Sequence, residues 1–146
     1  MGNIVERRTR GFTLIELLVI LVVLAVLAAI VLPKFAESGK RSKEAAVKSD
    51  LKLLRAAVDR FYADTGVWPL NLSQLALTTA PAKGIDSSGN PAVINPSDWH
   101  GPYVESVPKD ALANAEYSYK ITSPSVGTVR SNATGTGSDG TSPSTW

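Results

Sequence analysis

The stretch RTRGFTLIELLVILVVLAVLAAIVLPKF, from Arg8 to Phe35, constrains this chain more than any other. From Phe12 to Leu32 only Thr13 and Glu16 are polar. Coiled as a helix, the run spans roughly 30 Å, the thickness of a bilayer's hydrocarbon core. A transmembrane helix is therefore the first reading. A secretory signal peptide competes with it. Its apolar region runs to about 7–15 residues and ends at a small-residue cleavage site. Leu27-Ala28-Ala29 matches such a site weakly, and an acid inside the run argues against it. A buried soluble helix fits worse, because the run is apolar on every side.

Glu16 is the anomaly. A carboxylate near a helix centre in lipid costs about 2.5–3.5 kcal/mol on insertion scales, and such residues are usually paired or functional. In the bland reading Glu16 snorkels to an interface one turn away. The sharper reading needs a cation at the same depth, and no side chain from Phe12 to Pro33 supplies one. A backbone cut between Gly11 and Phe12 would create it. The new α-amine, with a pKa of about 7.7–8.0, is mostly charged at neutral pH. Within one helix that amine and Glu16 are an awkward pair, since the amine sits at the helix start. Between two chains offset along a common axis they could meet in lipid. The apolar surroundings strengthen the contact, and desolvation offsets much of the gain. Its value is register more than stability.

Charge adds little. The chain has 146 residues, 15 Lys and Arg against 13 Asp and Glu, a net charge of +2. The surplus sits in the first eleven residues, where Arg7, Arg8 and Arg10 face Glu6. From Phe12 onward the two signs balance, so net charge gives no argument for nucleic acid or anionic lipid. Cysteine is absent, which removes disulfides and thiolate chemistry. The length suits one domain with a thin core.

From Ser42 to Asp64, Val47, Leu51, Leu54, Val58 and Phe61 recur at spacings of four and three, one face of an amphipathic helix. Ala57 and Tyr62 widen the stripe. Lys48, Lys52, Arg55, Asp59 and Arg60 make the other face, with Glu44–Lys48 as a helical ion pair. Such a stripe reads as core for a packed sheet. Gly66 and Pro69 stop the helix. Run from Phe12, it would be about 80 Å long, with bends expected at Pro33 and Gly39. Beyond it, residues 71–77 read as a short helix capped by Asn71, with Leu72, Leu75 and Ala76 facing in. Residues 78–98 read as a loop rich in Pro, Gly, Ser and Asn. Tyr117, Tyr119 and Ile121 alternate with polar residues as a half-buried strand, and Val126 and Val129 suit its partner. The expected fold is α+β: a long N-terminal α-helix packed on a small antiparallel head sheet of two to four strands. Ser, Thr and Gly dominate from Thr122 onward and read as a partly flexible tail.

Arg10-Gly11-Phe12-Thr13-Leu14-Ile15-Glu16, the aliphatic run and Pro33 together resemble the type IV pilin superfamily, which includes the pseudopilins of type II secretion. The likeness covers about the first 65 residues well. It implies a pilin fold with four regions: a cleaved leader at 1–11, a transmembrane and filament-core helix at 12–32, an amphipathic half at 33–65, and a head with a flexible tail at 66–146. It also implies cleavage after Gly11 by a prepilin peptidase and N-methylation of Phe12 by the same enzyme. Glu16 would neutralise a neighbouring subunit's amine during assembly, and Pro33 would kink the helix or let it unwind. The precursor would wait in the inner membrane, leader in the cytoplasm, then join a periplasmic or surface filament. The positive-inside rule barely supports that orientation, since Lys34, Lys40, Arg41 and Lys43 flank the far end. Implied partners are identical copies in a helical filament, membrane lipid, the peptidase, an inner-membrane platform and a motor ATPase.

Trp68-Pro69, the segment Trp99 to Asp110, and Gly137-Ser138-Asp139-Gly140 with the final Trp146 look like the major pseudopilin of type II secretion. That family has an acid-rich calcium loop near its end. Here Asp139 is the only acid after Glu116, a weak calcium candidate, so no cofactor is expected. His100 is the only histidine and has no Gly-x-Ser-x-Gly or second metal ligand to work with, so no catalysis is expected. Asn71-Leu72-Ser73 and Asn132-Ala133-Thr134 fit the glycosylation sequon by chance. The reading is a structural filament subunit, leaning to the pseudopilin kind. The alternatives are a major pilin for adhesion, twitching or DNA uptake, and a membrane-anchored binding domain in which Glu16 is incidental.

Overall fold

The computed structural model describes residues 11–146, so the expected leader, except Gly11, lies outside the described residues. Helix α1 runs from Leu14 to Thr65, passing through Pro33 and Gly39. The chain divides into two compact units, one ending at Gly39 and the other running from Lys40 to Trp146.

The first unit is the apolar part of α1. From Phe12 to Leu32 every residue is exposed in the single chain. The segment is long and apolar enough to cross a membrane, with a mean hydropathy of 3.3 over its best window and none of that window buried. Its exposed Leu, Ile and Val side chains call for lipid or other protein as a neighbour.

The second unit carries the core. From Lys40 onward α1 buries Glu44, Val47, Leu51, Leu54, Ala57, Val58 and Phe61, the expected stripe with an acid at one end. The helix ends at Thr65, whose hydroxyl donates to the Phe61 carbonyl (2.7 Å). Gly66 follows at φ +73°, a left-handed position that glycine occupies without Cβ strain. Its N–H donates to the Tyr62 carbonyl (2.8 Å). The short helix after it is a 3-10 turn, Leu72–Ala76. Asn71 Oδ1 accepts from the Gln74 N–H (3.2 Å), and Gln74 Oε1 accepts from the Leu70 N–H (2.7 Å).

The sheet expectation is met in kind and corrected in detail. Among the described residues there are two separate antiparallel hairpins: β1 (Lys83–Ile85) with β2 (Pro91–Val93), and β3 (Ser118–Lys120) with β4 (Thr128–Arg130). The second holds the centre of the expected pair, with Tyr119 opposite Val129, but it is shorter than expected: Tyr117, Ile121 and Val126 lie outside its strands. The first falls inside residues 78–98, read above as a loop. Its strands are three residues each, too short to show alternation. Its turn is set by Asp86, whose Oδ1 accepts from the N–H groups of Ser88 (2.9 Å) and Asn90 (2.8 Å). β1 is tied back to the helix exit, where Trp68 and Ile85 exchange backbone hydrogen bonds (2.8 and 2.7 Å). Leu72, Leu75, Ile94, Val104, Tyr117 and Val129 close the core over the α1 stripe. Pro143 and Gly137 are buried, so the Ser/Thr/Gly-rich end packs at several points.

Candidate assembly site and the polar contacts of the head

Gly11 and Phe12 precede α1 in open chain. A Cβ built at Gly11 would meet nothing within 4 Å, and Phe12 is 68% exposed. Thr13 then caps the helix. Its hydroxyl accepts from the Glu16 N–H (3.3 Å) and donates to Glu16 Oε2 (2.8 Å), while the Thr13 N–H donates to the same oxygen (2.9 Å). This is a reciprocal capping box, which satisfies donors left open at a helix start. Sequence reasoning missed it, although the signal was present: Thr13-Leu14-Ile15-Glu16 has the T-x-x-E spacing. Among the described residues Glu16 Oε1 has no hydrogen-bond partner. One carboxylate oxygen thus holds the helix start, and the other faces outward. Phe12, Ile15, Val19 and Ile20 surround Glu16 in a shallow hollow of about 330 Å³. Pro33 lies inside α1 and is exposed.

In the head, several charged side chains of α1 contact later parts of the chain. Glu44 does not pair with Lys48, as its spacing had suggested. Its Oε1 accepts from the Ser138 N–H (2.9 Å) and its Oε2 from the Ser138 hydroxyl. Lys40 Nζ stands 3.9 Å from Glu44 and donates to the Thr136 carbonyl (3.0 Å). The Ser138 hydroxyl, more than any other contact, holds the Glu44 carboxyl below the ordinary range. Lys48 Nζ pairs with Asp139 Oδ2 (2.5 Å) and lies 4.3 Å from the centre of the Trp146 ring. Arg55 donates to the Val129 carbonyl (2.9 and 3.2 Å) and to the Trp146 carbonyl.

Asp110 is fully buried. Its Oδ1 accepts from the N–H groups of Leu112 (2.9 Å) and Ala113 (3.1 Å). Its Oδ2 accepts from the Ser131 hydroxyl (2.5 Å) and the Asn132 N–H (3.0 Å). Burial alone would raise this carboxyl, but the four hydrogen bonds outweigh it and hold it below the ordinary range. His100 is exposed and braces its loop. Its Nδ1 lies 3.0 Å from the Asp98 carbonyl and 3.7 Å from Asp64. The Tyr103 hydroxyl donates to Asp64 (2.8 Å), and burial pushes its pKa up to about 12. Among the described residues no three His, Cys, Asp or Glu side chains gather as a metal group would require.

Two family models match: the prokaryotic N-terminal methylation motif over residues 7–32, and the PilW C-terminal family over residues 40–130. The type II secretion system core protein G of Pseudomonas aeruginosa is 34% identical over 111 residues, 75% of this chain and 72% of that protein. The chain belongs to the type IV pilin superfamily. Another superfamily member, the core protein G of Klebsiella pneumoniae, is 33% identical over 81% of this chain and 77% of its own length. The type IV major pilin protein PilA of Myxococcus xanthus is 42% identical, but over 57 residues, 39% of this chain and 26% of that pilin. No solved structure matches. For a pilin-superfamily chain, the exposed Gly11–Phe12 peptide and the half-engaged Glu16 are the features of interest, and the methylation motif spans both.

Proposed function

We propose that this chain is a structural, non-enzymatic subunit of a type IV pilus-family filament, of the type II secretion pseudopilin kind. The observation that carries the choice is the reach of the likeness. Core protein G relatives align across 75% and 81% of the chain, so the head is included, whereas the pilin relative aligns over 39%. Cutting after Gly11 frees the Phe12 amine for methylation, which leaves its charge in place. Glu16 Oε2 keeps the helix start capped, and Oε1 takes the amine of an adjacent copy. That contact fixes the axial offset between subunits. Prepilin peptidase, an inner-membrane platform and a motor ATPase are the machinery this reading requires. The precursor resides in the inner membrane, and the filament projects from it.

Mass spectrometry of the natural protein is expected to find N-methylated Phe12 as the first residue. Retention of Met1 on protein in filaments would sink the reading. Deleting the gene is expected to stop protein export while leaving surface pili. Loss of pili with export intact would instead place the chain among the major pilins.

A further inference from the structure

We infer that Lys48 is the internal cation that fixes the C-terminal segment 136–146 to α1, so that this segment folds without a divalent metal. Three α1 side chains one turn apart reach the segment. Lys40 binds the Thr136 carbonyl, Glu44 takes Ser138, and Lys48 takes Asp139. Lys48 does more than pair with an acid. It also stands over the indole face of Trp146, a cation–π contact. Trp146 in turn packs on Gly137, where a Cβ would come within 2.6 Å of the ring, and its indole N–H donates to the Thr141 hydroxyl (2.5 Å). One ammonium thus joins the middle of the segment to its last residue.

The donor set does not suit calcium, which takes six to eight oxygens and usually several carboxylates. Asp139 is the one acid after Glu116. Its Oδ2 is on Lys48, and its Oδ1 accepts from the Thr141 N–H (3.0 Å) and hydroxyl (2.7 Å). The nearby Glu44 gives both oxygens to Ser138. A calcium ion at Asp139 would have to displace the Lys48 ammonium and would gain one carboxylate.

The test uses the full chain in detergent, with hydrogen exchange read on peptides covering 136–146, in calcium chloride and in EDTA. Wild type is expected to show the same exchange and the same melting temperature in both. Lys48→Ala is expected to speed exchange in the segment about five-fold, because a half-exposed ion pair and a cation–π contact are each modest. Lys48→Arg is expected to keep the segment slow. Rising sodium chloride is expected to loosen the segment in wild type but not in Lys48→Ala. Exchange at the Val47–Phe61 helix reports whether each variant is folded. If Lys48→Ala does not fold, Asp139→Asn decides, with the same loosening expected. Slower exchange in calcium than in EDTA would overturn the inference. So would wild-type protection of the segment in a folded Lys48→Ala chain.

Discussion

At the scale of single residues, two carboxylates show how context sets the use of an acid. Glu16 sits where lipid is expected, and Thr13 satisfies one of its oxygens locally. That contact lowers the cost of carrying the acid before any partner arrives. Glu16→Ala should therefore be processed and held in the membrane largely as wild type, yet assemble filaments poorly. Immunoblots of processing beside counts of sheared filaments would check this, and abundant normal filaments would count against the pairing role. Asp110 is the opposite case, fully buried and served by four donors. Its folded-state value lies below its unfolded one. The stabilisation it gives is therefore present above the unfolded value and fades as pH falls through the folded one. Tyr117, raised chiefly by burial and hydrogen-bonded to Asp50, also feels the Asp110 charge. Asp110→Asn should cost about 1–3 kcal/mol at neutral pH, because buried N–H groups lose their acceptor. It should also flatten the acid side of the stability curve. Denaturant melts from neutral to acid pH would show both effects.

At the scale of elements, legibility followed the distance over which the signal acts. The apolar run, the Val47–Phe61 stripe, the Gly66 stop and the Asn71 cap are local patterns, and each was readable. The T-x-x-E box is equally local, since Thr13 and Glu16 stand three residues apart at the helix start. The β1–β2 hairpin was not readable from alternation. Gly84 sits in its strand for a reason outside it: a Cβ there would lie 2.6 Å from the Trp68 carbonyl oxygen. The contacts of Lys40, Glu44 and Lys48 were also hidden, since their partners lie more than ninety residues away. A helical spacing of charges cannot tell a solvent partner from a distant loop. One pair of variants tests the stripe. Leu54 is fully buried and Leu53 is 51% exposed. Leu54→Ala should cost about 2–5 kcal/mol, and Leu53→Ala should stay within about 0.5 kcal/mol in the single subunit. Thermal melts of the two variants side by side would measure the contrast.

At the scale of the whole molecule, the two units solve different problems. The segment up to Gly39 exposes its apolar side chains along its length and must be covered by lipid or by other copies. The unit from Lys40 to Trp146 buries its own core, from Val47 through Phe61 to Val129. The contacts that order the head are internal to it, including the Asp110 cluster and the Lys48–Asp139 pair. A chain beginning at Lys40 should therefore be soluble and monomeric, since the burial that drives its folding is complete without the apolar segment. Its melting temperature should match the head transition of the detergent-held full chain to within about 3 °C. Size-exclusion chromatography and circular dichroism would test this. Aggregation of that shorter chain, or loss of its cooperative transition, would mean that the membrane segment stabilises the head.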